Sequence, residues 1–302
     1  VDTAPGLSYL VDFFDVSGGR QHDYSLHGPP GTFNVNGGTW SPAEGGTLAG
    51  PDVPLGAFYD APQMGVPGYK GGFAGYTGSG FQHMAKVRRL KGGAWSGVYT
   101  HQNDPKAKLE VRVLPSPGQE VMLAEARVSP VNHPEILTYI IARRSGDKPV
   151  SRFVSVAEPF RTQPSITSAR LLTLERGTGS AAEIKRVGGW TDVVVHGIGA
   201  TSFLLGKTRV ATDAAVVVVT LNAKGIPTRV FFAGGTKLSV GSKTWTAVKR
   251  PSGVVTGVNA VQRTIRVTPD SPVAPAVLKA LEGSVVHFAN NRRRTAHTIS
   301  SA

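Results

Sequence analysis

Between Arg20 and His27 the chain places an arginine, two histidines (His22, His27), an aspartate (Asp23) and a tyrosine (Tyr24) within eight positions. These groups can bond, titrate or hold an anion. A tyrosine beside a histidine supplies the acid and base that β-elimination from a uronate requires, with Arg, His or Asn on the sugar carboxylate. Arg20, His22, Tyr24 and His27 are therefore candidate substrate-binding residues. Metal binding is the other chemistry suggested, because His22, Asp23 and His27 are ligand types. On a strand, His22 faces away from Asp23 and His27, and their spacing fits no zinc signature. We expect no metal cofactor held by this chain alone; a divalent ion would need residues outside it.

The elements around this stretch must position it. Upstream, Tyr9, Val11 and Phe13 alternate with Leu10, Phe14 and Val16. Apolar residues on both faces predict a central strand in stacked sheets, in which Asp12 and Asp15 would need partners. From Ser17 to Gly80 the periodicity dissolves into glycine and proline. A segment this long is expected to be long loops, and its aromatic residues (Phe33, Trp40, Phe58, Tyr59, Tyr69, Phe73, Tyr76) argue for rings pinning it over a sheet edge or groove. Trp40 and Tyr76 are the candidate sugar platform. After Gly80, strands are expected at Ser79–Leu90, Trp95–Thr100, Lys108–Leu114, Glu120–Val128, Ile136–Ala142 and Arg152–Ala157. Shorter strands follow Pro159, with a hairpin around Asn222–Gly225. Ala274–Leu281 is the single helical pattern. The reading is all-β, a β-sandwich of large stacked antiparallel sheets with at most one short helix. It divides into 1–160 and 161–302, and one continuous sandwich fits nearly as well.

Charge narrows the partners. Lys and Arg number 33 against 20 Asp and Glu, a net charge of +13. Such a surface attracts polyanions, or it simply keeps a protein in solution. Lys86, Arg88, Arg89 and Lys91 surround one strand, Arg143 and Arg144 end another, Arg152 begins the next, and Arg292–Arg294 form a run. Arginine pairs bidentately with carboxylate or sulfate, which suits an acidic polysaccharide; the plainer reading is protection of strand edges. Nucleic acid is disfavoured, since no recognition module is present and the aromatics do not interleave with the basic residues. His83, His101 and His133 read as structural. With no cysteine there is no disulfide and no thiolate zinc site. Nucleophile-elbow, phosphate-loop and dinucleotide motifs are missing. No apolar run suits a membrane span. A chain opening on Val1 is expected to be a processed product or a piece of something longer.

Val11, Asp12, Phe14, Val16, Gly18, Gly19, His22, Asp23, Tyr24, His27 and Gly28 together resemble a strand-and-loop motif of the heparinase II/III-like polysaccharide lyases. Weaker points of similarity are Trp95, Leu109–Leu114 running into Pro115, Arg143-Arg144 ahead of Phe153–Pro159, and Asn290. The resemblance covers residues 7–160; beyond it only the strand patterning is compatible. It implies an α/α toroid followed by stacked antiparallel sheets, cleavage of acidic polysaccharide by β-elimination, and a secreted or periplasmic location. It also implies that the main catalytic Tyr and His, and the metal ligands of a His-x-His segment, lie on the toroid and in the earlier part of the β region. This chain has no His-x-His and no helical repeat. It is expected to supply one wall of the sugar cleft, with an upstream toroid in the same or a companion chain as partner. The alternatives are a non-catalytic carbohydrate-binding module and a structural β protein.

Overall fold

The computed structural model describes residues 1–4, 7–68, 70, 78–129, 133–247, 251–290 and 293–300. Short strands β1 (Asp2–Ala4) and β2 (Leu7–Ser8) pair first. The first large sheet contains β3 (Leu10–Ser17), β4 (Gln21–His27), β5 (Gly31–Trp40), β6 (Ala85–His101), β7 (Asp104–Val113), β8 (Glu120–Ser129), β9 (His133–Ser145) and β10 (Val150–Phe160). Its order is β3-β10-β7-β6-β8-β9-β4, with β5 also paired to β6, and every pairing is antiparallel.

Strand β6 is the hinge of this sheet. Its residues 97–101 pair with β7, whereas residues 85–89 pair with β8. Between them the chain bends at Gly92–Gly93, so the sheet folds over itself and nearly closes, with β3 and β4 as facing edges. Period-2 alternation turns one face of each strand into this fold. Tyr99, Val111, Val113, Val121, Leu123, Ile140, Ala142 and Phe153 meet there, and Phe153 is completely buried. Burying a ring of that size contributes roughly 1.5–3 kcal/mol.

The second sheet takes up the opposite face of β10. It comprises β11 (Ile166–Leu172), β12 (Leu174–Arg186), β13 (Trp190–Leu205), β14 (Thr208–Thr212), β15 (Val216–Leu221), β16 (Pro227–Ala233), β17 (Lys237–Val240) and β18 (Lys243–Thr246). The long strand β13 repeats the device of β6, pairing with β15 over 191–196 and with β14 over 201–205. Val154 and Val156 of β10 pack with Val11 and Phe13 of β3 against Ala182, Ile184 and Val194. The other face of β13 closes a separate core of Val193, Val195, Phe203, Val217, Val219 and Leu238. A polar tie joins the layers: the buried Asp192 carboxylate accepts from the Tyr9 hydroxyl at 2.7 Å, the Arg186 Nε at 2.6 Å and the Thr220 hydroxyl at 2.6 Å. Its three partners offset the cost of burying the charge.

Past the sheets lie two ribbons, β19 (Gly253–Asn259) with β20 (Thr264–Pro269) and β21 (Val285–Ala289) with β22 (Arg294–Thr298), and between them α1 (Pro275–Lys279). No helix among the described residues is long and apolar enough to cross a membrane. The chain is all-β with stacked antiparallel sheets and, among the described residues, this one short α-helix.

Three expectations change. The stretch 17–80 is not all loop, because it contains β4 and β5; pairing with β9 and β6 overrides a glycine-rich sequence of weak strand propensity. Among the described residues the irregular part is 41–68, 70 and 78–84, and from it Leu48, Phe81 and Met84 pack over the outer face of β6, β8 and β9 on Val87, Met122 and Ile141. Strand β3 is not a central strand buried on both faces: it ends its sheet, Val11 and Phe13 pack on the second sheet, and Leu10 and Phe14 on the other face are exposed. Finally, the strands expected at 79–90 and 95–100 are largely one strand, β6, because its glycine pair bends the chain without turning it back.

Gly28 follows β4 at a point where an added Cβ would sit 2.3 Å from Cγ of Tyr99, whose ring is buried. Gly28→Ala is expected to cost about 1–3 kcal/mol through overpacking, read from the urea midpoint.

Candidate functional site

The stretch Val11–Gly28 forms β3, a tight turn and β4, and it closes the seam of the first sheet. Gly18 and Gly19 turn the chain with φ of 92° and 64°, a region open to glycine at little steric cost. The two strands do not pair with each other; β3 pairs with β10 and β4 with β9. Side chains therefore bridge the gap. His22 is buried, with Nδ1 2.8 Å from the Ser151 hydroxyl and Nε2 2.5 Å from the Gly18 carbonyl. Tyr24 donates its hydroxyl to Asp12 at 2.8 Å and shares a 2.8 Å hydrogen bond with Ser155. Its ring stacks on Phe153 at 5.8 Å. Burial pushes the Tyr24 phenol well above its ordinary range, and its bond to Asp12 adds to the rise against a lowering by Ser155. Both rings thus face inward with their polar atoms engaged by the protein.

The opposite face of β4 points outward. Asp23 lies directly across from Arg143 on β9, and their side chains pair at 2.6 Å, both largely buried. Gln21 also donates to Asp23 at 2.7 Å, and the Arg143 guanidinium rests 5.1 Å from the Phe81 ring centre. Four residues on, His27 faces Tyr139 with ring centres 4.8 Å apart at 55°. His27 is exposed, and its Nδ1 lies 2.8 Å from the Gly28 carbonyl. Among the described residues neither His27 Nε2 nor the Tyr139 hydroxyl has a hydrogen-bond partner. Partial burial raises the Tyr139 phenol as well. Sequence reasoning singled out His27 but missed Tyr139, which sits in the apolar run Ile136–Ala142; its outward register was the available signal.

The other candidates lie apart from this pair. Arg20 is exposed in the turn, with its carbonyl accepting from Gly146 N–H at 2.9 Å. Trp40 ends β5, edge-on to Trp95 at 5.1 Å, with the Arg88 guanidinium 5.8 Å from its ring centre. Tyr76 lies outside the described residues. Several basic residues proposed for anions already have acidic partners: Lys86 with Glu125, Arg89 with Glu44 and Glu120, Arg143 with Asp23, and Arg152 with Asp15 at 3.7 Å. Among the described residues, Arg88, Lys91 and Arg144 form no ion pair. No group of three His, Cys, Asp or Glu among those residues could hold a metal ion.

His27 Nε2 and the Tyr139 hydroxyl can exchange hydrogen bonds with a ligand laid against the two rings. A tyrosine serving as a base must deprotonate, and Tyr24 is held in the opposite direction. The sequence matches no protein-family model and no curated protein.

The raised Tyr24 pKa has a consequence for stability. The unfolded phenol titrates near its ordinary value of 10.0 and the folded one higher. The stability contributed is complete below that pH and is lost as pH rises above it. Urea midpoints are expected to fall from pH 9 to pH 11, with a shallower fall in Tyr24→Phe. At neutral pH the same variant should lose about 1–3 kcal/mol, because Asp12 and Ser155 lose a buried partner.

Proposed function

We propose that this chain is the β-sandwich portion of a heparinase II/III-like polysaccharide lyase, forming one wall of a cleft for acidic polysaccharide outside the cytoplasm. The groups that perform β-elimination come, in this reading, from a helical toroid in the same or a companion chain. The observation that carries it is the division of labour within Val11–Gly28. Its inward residues, Asp12, His22 and Tyr24, are consumed in closing the sheet. Its outward His27 stands open beside Tyr139. The stretch that resembles the lyases thus acts as a scaffold that holds His27 exposed against the half-buried ring of Tyr139 on β9. The net charge of +13 favours an anionic polymer on that surface.

A carbohydrate-binding module without chemistry of its own is the second reading. It is favoured by the engaged, raised phenol of Tyr24 and by the second aromatic patch, where Arg88 lies against Trp40.

The chain should be retained on immobilised alginate, heparin, chondroitin or hyaluronan. His27→Ala and Tyr139→Ala should each weaken retention by roughly 5-fold, the equivalent of about 1 kcal/mol for one ring contact. Unchanged retention in both variants would remove His27 and Tyr139 from the wall. Absorbance of unsaturated uronate should rise only when the toroid partner is added; a rise with the isolated chain would sink the scaffold reading, and no rise with the partner present would favour the binding module.

A further inference from the structure

The second sheet branches at β13, and of its terminal strands β16 and β18 line one opening. This opening is a shallow, solvent-open groove of about 540 Å³ lined by Pro227, Thr228, Val230, Lys243, Thr244 and Trp245. That size accommodates one or two sugar rings. Register sets which side chains enter it. Trp245 lies across from Leu238 and Lys243 from Val240, and both Leu238 and Val240 belong to the buried core. Lys243 and Trp245 therefore share the inward face of β18. Trp245 rests partly buried on the core and Lys243 reaches the mouth exposed. Across the opening, Val230 packs on the same core, and the Thr228 hydroxyl donates to the Thr220 carbonyl at 3.1 Å, leaving its oxygen lone pairs free to accept. Among the described residues Lys243 has no acidic partner and the Trp245 indole N–H has no acceptor.

We propose that this mouth is a second saccharide site, separate from the His27 face and selective for a carboxylated sugar. An indole offers a flat apolar surface to the C–H face of a pyranose and an N–H to one of its hydroxyls. An ammonium at the groove rim pairs with a carboxylate on the same ring. A neutral apolar ligand would leave Lys243 unpaired, and a free carboxylate would leave the indole face bare; a uronic acid residue meets both. The ligand class rests on the acidic-polysaccharide reading given above, whereas the location rests on β16 and β18 alone.

Titration calorimetry of the full chain with trigalacturonic acid tests it, with maltotriose and adenosine monophosphate as controls. Saturable binding of trigalacturonic acid is expected. Lys243→Gln, an exposed substitution, should weaken it about 10-fold. Trp245→Ala should abolish it, and Trp245→Phe, which keeps the packing, should retain part of it. Circular dichroism checks that each variant is folded. Trigalacturonic acid binding that is indifferent to both Lys243→Gln and Trp245→Phe overturns the proposal, as does binding of maltotriose or adenosine monophosphate as tight as that of the trimer. The His27→Ala variant separates the two readings. If it loses polymer retention while Lys243→Gln changes nothing, the second site fails and the wall stands; if only Lys243→Gln weakens the trimer, the second site stands and the wall fails.

Discussion

The first sheet depends on one phenol. Tyr24 sits on β4 and bonds Asp12 on β3 and Ser155 on β10, three strands that the ladder hydrogen bonds alone do not join into a closed surface. His22 repeats the bridge one pleat away through Ser151. A sheet folded over a hinge has two loose edges, and loose edges invite pairing with other chains. Here the side chains of a single turn-linked pair of strands draw those edges together. The Ser151 bridge is buried and the Tyr24 bridges are partly so, and removing either partner costs more there than at an exposed position.

The same economy appears in the middle layer. Strand β10 gives Phe153 to one core and Val154 and Val156 to another. Strand β13 does likewise with Val193 and Val194. Two-sided strands require uninterrupted apolar sequence, and the polar residues that do enter must be tied, as Asp192 is by Tyr9, Arg186 and Thr220. Charge on the outer faces is tied in a looser way. Arg89 and Arg143 each take a carboxylate from a neighbouring strand or from the covering loop. The positive charge left unpaired on the surface therefore resides in the basic groups outside this pairing, such as Arg88, Lys91 and Arg144.

Much of this was legible in the sequence. Clean alternation in Leu109, Val111 and Val113 located an inward face, and Val11 and Phe13 pointed to the face of β3 that packs on the second sheet, whereas its other face, with Leu10 and Phe14, is exposed. The strand β5 was not legible, since Gly37 and Gly38 weaken any local preference and only the partner β6 holds it extended. Nor could the role of Tyr24 be read: Asp12 and Ser155 are 12 and 131 positions away, and local spacing says nothing about them. The cluster of reactive residues was a true feature with a different use, because strand parity sends His22 and Tyr24 inward and His27 outward. Lys243 and Trp245 form no cluster in sequence; the fold of β13 brings them opposite Thr228 and Val230.

The face of β10 that carries Val154 and Val156 also fixes what can be inherited as a unit. The pause between Phe160 and Ile166 looks like a seam between two modules, and each sheet has a core of its own. Yet Ile184 and Val194 from one sheet and Val11 and Phe13 from the other share a third core across that pause. A recombination event at residue 160 would transmit a gene segment but not a folding unit, leaving a bare apolar plane on either product. The two sheets are bound together at this core, each constraining the substitutions the other can accept.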